Sequence, residues 1–113
     1  MKIKIYNDKT FNIFYEKGDF VKIIKNEKYG KPENIDLWGE VLKVTGKPIT
    51  AKLTINTEKG EIEEYVWNVV PVDEKGVEIT KDQLFKMVPV KENKNYEIEM
   101  FSDRTILKFE EFN

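Results

Sequence analysis

The chain of 113 residues predicts an all-β fold: mainly strand, one short helix, and antiparallel hairpins assembled into a small, partly open barrel. Three observations carry that expectation. Apolar and polar residues alternate over short runs, as in Lys2-Ile3-Lys4-Ile5 and Leu53-Thr54-Ile55-Asn56. Turn signals separate the runs, and "EKG" recurs at 16–18, 58–60 and 74–76. Helical spacing appears in one stretch, after Thr80.

Strands are expected at 2–7, 11–15, 19–25, 37–45, 49–57, 61–72, 77–79, 96–101 and 106–110. A loop at Asp8-Lys9-Thr10 pairs Ile5 with Ile13 and Ile3 with Tyr15. Each EKG reads as a three-residue loop, a type I turn followed by a left-handed glycine. With Glu16-Lys17-Gly18 as such a loop, Phe11 opposes Ile23 and Ile13 opposes Val21. Residues 26–36, with Gly30, Pro32 and no periodicity, read as irregular, as do Lys91 to Asn95.

The central hairpins fix which side chains share a face. Joining 37–45 to 49–57 through Thr45-Gly46-Lys47-Pro48 sets Glu40 opposite Leu53 and Trp38 opposite Ile55. Glu40 and Glu63 would then both point inward, which is costly for unpaired carboxylates. A β-bulge at Gly39, turning Glu40 to solvent, is the expected escape. In the next hairpin, a Glu58-Lys59-Gly60 loop pairs Leu53 with Tyr65 and Ala51 with Trp67. That places Tyr65, Trp67 and Val69 in the core and Glu64 outside beside Thr54; a four-residue loop would reverse the faces and expose both aromatics.

Thr80 and Gln83 fit a capping box, with Leu84, Met87 and Val88 on one side of the helix and Pro89 ending it. A turn at Ser102–Thr105 pairs Met100 with Leu107 and Ile98 with Phe109, and sets Glu99 across from Lys108 as an ion pair. Phe101 and Ile106 are left pointing outward.

Length and a composition of 40% hydrophobic and 35% charged residues predict one folded domain spanning 1–113. No apolar run is long enough to span a membrane, and the alternating N-terminus lacks the block of a signal peptide. The absence of cysteine makes the reducing cytoplasm the expected compartment. Histidine is absent too, and Ser102, the sole serine, sits in a turn without a base. Glu61, Glu63 and Glu64 lack the spacing of a Ca²⁺ loop. No catalytic residue, metal or cofactor is expected, and the protein reads as a non-enzyme.

Charge is uneven. Residues 1–56 hold eleven lysines against seven acids, whereas 57–113 hold seven lysines and Arg104 against fourteen acids. The total of −2 argues against a dedicated non-specific nucleic-acid binder but leaves room for a local basic face. A single arginine disfavours base-edge reading and bidentate phosphate clamps. The bias toward Lys, Ile, Asn and Glu fits an AT-rich genome, bacterial or phage.

"EKGDFVKI" at 16–23, followed after a loop by "WGEVLKV" at 38–44, resembles the Gly-Asp-x-Val opening and following Gly-x-Val strand of Tudor/KOW-type small barrels. The N-terminal and C-terminal hairpins lie outside the resemblance. It implies binding of nucleic acids, peptides or other proteins, and no enzyme activity.

Between these strands, Lys25, Lys28 and Lys31 surround Tyr29, with Trp38 at the far end of the loop. Lysines beside an aromatic platform can hold a nucleic-acid strand without reading its sequence. Asp19, Glu27, Glu33 and Asp36 dilute that field. The expected function is a small binding module that contacts a macromolecule, nucleic acid or protein, through the 26–38 loop and the barrel face. The alternative is a small acidic inhibitor, immunity or phage anti-defence (anti-CRISPR-like) protein. It would block a nucleic-acid-processing enzyme with an acidic surface comprising Glu61, Glu64 and Glu78.

Overall fold

The computed structural model describes residues 1–87 and 94–112, apart from the side chain of Met87. The strands among them are Lys2–Ile5 (β1), Phe11–Phe14 (β2), Phe20–Ile23 (β3), Trp38–Thr45 (β4), Lys52–Thr57 (β5), Gly60–Tyr65 (β6), Val69–Val72 (β7), Asn95–Met100 (β8) and Ile106–Phe112 (β9). They form two antiparallel sheets, ordered β2-β1-β8-β9 and β6-β5-β4-β3-β7. The all-β class with one short helix is therefore present, but as two sheets, neither closed into a barrel. Among the described residues, no helix is long and apolar enough to cross a membrane.

Each sheet buries its own apolar face. Ile3, Ile5, Tyr96, Ile98 and Met100 of the first sheet pack with Met1, Ile79 and Leu84. Val21, Ile23, Val41, Leu53, Ile55 and Val69 of the second pack with Leu37. The helix α1, Lys81–Met87, covers the first cluster with Leu84. Its capping box is formed: the Gln83 N–H donates to Thr80 Oγ1 at 3.3 Å, and the Thr80 N–H to Gln83 Oε1 at 3.1 Å. The expected helix stop at Val88 and Pro89 lies outside the described residues, as do residues 91–93 of the expected irregular segment.

Glu16-Lys17-Gly18 does not close a hairpin. Gly18 is left-handed (φ 97°), but β2 and β3 belong to different sheets, so neither Phe11–Ile23 nor Ile13–Val21 is a pair. The backbone explains the crossing. Gly18 N–H bonds Val41 O at 2.8 Å and Val41 N–H bonds Asp19 O at 2.7 Å, so the chain enters the second ladder at the turn itself. Buried Asp19 ties the corner to the first sheet, accepting from the Met1 amino group at 2.9 Å and the Glu16 N–H at 2.6 Å. Burial raises the Asp19 carboxyl pKa above its ordinary value, against the lowering effect of these donors.

Other registers shift by small amounts. β1 and β2 pair Ile3 with Ile13 and Ile5 with Phe11, two residues from expectation and on the same face. The tighter loop is closed by left-handed Lys9 (φ 68°) and by Asp8 accepting from the Thr10 N–H. In the C-terminal hairpin Ile98 opposes Phe109 and Glu99 opposes Lys108, as expected. Met100, however, opposes Ile106 rather than Leu107, across a local bulge. Lys108 makes its ion pair with Glu110 (3.4 Å). The expected strand 77–79 is reduced to a bridge between Val72 and Glu78.

The β4–β5 pair contains the expected bulge at a different residue. Register shifts between Val41 and Lys43, at Leu42, and Glu40 pairs with Asn56 while Val41 faces the core. Gly39 serves another purpose: a Cβ there would lie 1.8 Å from Asn56 O. Glycine is the residue that lets the two strands approach this closely.

The decisive correction is at β5–β6. Thr57 pairs directly with Gly60, so the loop is Glu58-Lys59 alone. Gly60 is left-handed as expected (φ 98°), yet it stands inside the ladder. Thr57 makes the shorter loop possible: its hydroxyl donates to Gly60 O at 2.9 Å and accepts from the Lys59 N–H at 3.2 Å. A one-residue slip inverts every side chain of the strand. Ile62 and Glu64 turn inward, while Glu61, Glu63 and Tyr65 turn outward. The expected strand 61–72 is also broken, by a 3-10 turn at Val66–Asn68.

Candidate binding surface

Inverting β6 puts Glu64 where a core residue was required. Only 2% of it is exposed, and it is partnered from its own chain neighbourhood. Its Oε1 accepts the Tyr65 N–H and the Asn68 Nδ2, both at 2.9 Å. The 3-10 turn brings Asn68 back beside Glu64, four residues earlier. Asn68 is itself fully buried. Its amide also donates to Glu27 O at 2.7 Å and accepts the Glu27 N–H at 3.0 Å. A satisfied buried network of this kind fixes one geometry, because any other leaves polar groups without partners. Here it fastens the 26–30 loop to the end of β6.

That loop is built to project a ring. Lys28 and Tyr29 are both left-handed (φ 42° and 70°), an uncommon conformation for non-glycine residues. Gly30 then passes so close to Asn26 and Asn68 that a Cβ would lie 2.6 Å and 2.8 Å from their atoms. Tyr29 is left 88% exposed.

Its neighbours come from β6 and the 3-10 turn. Tyr65 and Trp67 stack with centroids 4.4 Å apart and planes within 10°, and Tyr29 lies 6.1 Å from Tyr65. The Trp67 indole donates to Glu27 O at 3.1 Å, tying the stack to the loop. Lys52 reaches over Tyr65 at 5.8 Å and pairs with Glu63 at 3.1 Å; Glu63 holds the Lys52 pKa above its ordinary value. Beside the rings lies a depression of about 430 Å³, where Lys31 and Lys52 meet Glu33, Glu61 and Glu63.

Of the residues expected to bind, Tyr29 and Lys31 stand together at this surface. Lys25 is engaged with Glu27 at 3.7 Å. Lys28 lies on the exposed turn just before Tyr29. Trp38 is elsewhere, on the outer face of β4 beside Phe20 (6.3 Å) and over Gly76, in a second depression with Asp36, Glu40 and Glu58. The alternative acidic surface is not assembled. Glu64 is buried rather than on the outer face, because of the slip in register. Glu61 belongs to β6 at one edge of the second sheet, whereas Glu78 bridges β7 at the other.

Tyr65, Trp67, Lys52 and Asn68 were not among the expected site residues, and Glu64 was expected on an exposed acidic surface rather than in the buried pair with Asn68. The signal for the aromatics was present, since "EYVWN" puts two rings two residues apart, hence on one side of an extended segment. Which side depended on one residue of loop length. Comparison with protein-family models, with curated proteins and with solved structures finds no match.

Proposed function

We propose that the protein is a non-enzymatic binding module that holds a polypeptide segment carrying basic side chains across the Tyr29–Tyr65–Trp67 surface. The observation that carries this reading is the half-buried aromatic stack, with exposed Tyr29 beside it, on a hydrogen-bonded, buried foundation. Stacked, partly exposed rings offer contact area at low entropic cost, and their faces attract cations. The charges beside them choose the ligand class. Three glutamates outnumber two lysines in the adjoining depression, and Lys52 is already paired with Glu63. A phosphate backbone meets repulsion there, whereas lysine or arginine side chains find both ring faces and carboxylates. The resemblance of residues 16–44 to Tudor/KOW-type barrels supports a binding role. Its two segments form β3 and β4, which are adjacent and antiparallel.

The test is titration of the protein with arrayed basic peptides and, separately, with single-stranded oligonucleotides. Peptides should bind, with affinity falling as salt rises, and the double substitution Tyr29→Ala with Tyr65→Ala should remove that binding. Tight oligonucleotide binding with no peptide binding would overturn the reading.

A further inference from the structure

β9 is an edge strand, flanked by β8 on one side and by no strand on the other among the described residues. At seven residues it is long for an edge, and it is exposed along nearly its whole length. Leu107 is 59% and Phe109 41% exposed, although Phe109 lies on the side of the sheet that carries Tyr96 and Ile98. Phe109 stacks on Tyr96 at 5.0 Å, leaving its far flank open. Such an edge presents unpaired backbone groups that template the addition of another strand.

We propose that β9 pairs antiparallel with β9 of a second copy of this chain, merging two four-stranded sheets into one across a twofold axis at Phe109. The strand's own sequence selects that register. Residues whose backbone groups point at the edge must meet residues of the same kind, so the axis passes through a residue pair rather than between residues. Centring on Lys108 sets that lysine against its own mate, and centring on Glu110 does the same for a glutamate. Like charges directly opposite are destabilising. Centring on Phe109 sets Lys108 opposite Glu110 of the second copy, and the reverse, so both charge pairs are complementary. It also sets Phe109 against its mate. The outer face beyond the bulge thus reads Lys108, Glu110, Phe112, and its Lys108–Glu110 step complements itself when reversed. Lys108 and Glu110 already lie 3.4 Å apart within one chain, so the second copy closes a four-charge cluster. On the other face Glu111 is held by Lys94 at 3.8 Å.

Sedimentation velocity over a range of concentrations tests the proposal, using the full chain and the single charge reversals Lys108→Glu and Glu110→Lys. The unaltered protein should form a concentration-dependent dimer. Each single variant should associate at least about tenfold more weakly at low salt, since two attractive pairs become repulsive. Mixing the two variants should restore the dimer, because every opposed pair then joins a lysine to a glutamate. The double variant Lys108→Glu with Glu110→Lys should dimerise like the unaltered chain, which also guards against a single variant that fails to fold. A protein that stays monomeric throughout, single variants that dimerise normally, or a mixture that fails to recover would each overturn it.

Discussion

Trp67 and Trp38 both stand at the second sheet, yet they are held in opposite ways. Trp67 stacks on Tyr65 and donates its indole N–H to Glu27, above a foundation of buried polar groups. Trp38 rests on Gly76 and beside Phe20, so its position is set by ring packing against a turn. The first arrangement presents a ring stack in a fixed geometry, which lowers the ordering cost of gripping a ligand. The second uses its ring as a cover for the Gly76 turn. The two indoles thus carry different work, and the backing beneath each decides which.

The largest effect that could break this comparison is at the foundation. Asn68→Ala removes a partner of Glu64 and both hydrogen bonds to Glu27, and should cost about 3 kcal/mol. Urea unfolding measures it. A loss no larger than that of an exposed polar residue would mean that the buried network does not organise the surface.

The turn glycines sharpen the contrast from the Trp38 side. At Gly76 (φ 81°) a Cβ would sit 2.6 Å from the Trp38 ring, while at Gly60 (φ 98°) nothing lies within 4 Å. Gly60→Val therefore meets backbone strain alone, about 1 kcal/mol, whereas Gly76→Val should cost about 2–3 kcal/mol because the indole must also move. Thermal melts of the two variants compare them directly.

Trp67→Ala should cost about 1–2 kcal/mol, below the range of about 3–5 kcal/mol for emptying a buried aromatic site, because Trp67 is half-buried. The same substitution should abolish peptide binding, and Trp38→Ala should leave binding intact. Chemical unfolding and calorimetric titration separate the two effects.

The smallest effect concerns pH and the turn beneath Trp38. Asp73 accepts the N–H groups of Val77 and Lys75 and pairs with Arg104 at 3.4 Å. The Val77 N–H leads in lowering its carboxyl pKa below the ordinary 3.8. A depressed carboxyl stabilises the fold above the unfolded value, and that contribution is lost as pH falls through the folded one. The melting difference between the unaltered protein and Asp73→Asn should therefore be constant above about pH 5 and shrink below about pH 4.

Much of the fold was legible because local chemistry determined it. The Thr80–Gln83 box, the left-handed glycines of the three EKG turns and the Ile98–Phe109 register all depend on neighbours in sequence. What escaped depended on one side chain's choice of turn and on contacts between distant segments. The hydroxyl of Thr57 shortens the β5–β6 loop by one residue, and that exchanges the faces of Glu64 and Tyr65. The bond between Gly18 and Val41 sends β3 into the second sheet. Tyr29 could be read as a platform from its aperiodic, lysine-bearing loop. Its partnership with Tyr65 rests on Asn68 reaching back to Glu27, 41 residues away.

The central claim is that the Trp67 side of the molecule, and not the Trp38 side, receives the ligand. The two tryptophans supply their own reporters, since each contributes one indole N–H signal to an amide correlation spectrum. Titrating ¹⁵N-labelled protein with a basic peptide should shift the Trp67 indole and the Tyr29 and Lys52 amides while the Trp38 indole stays in place. Movement of the Trp38 indole with a stationary Trp67 would contradict the account.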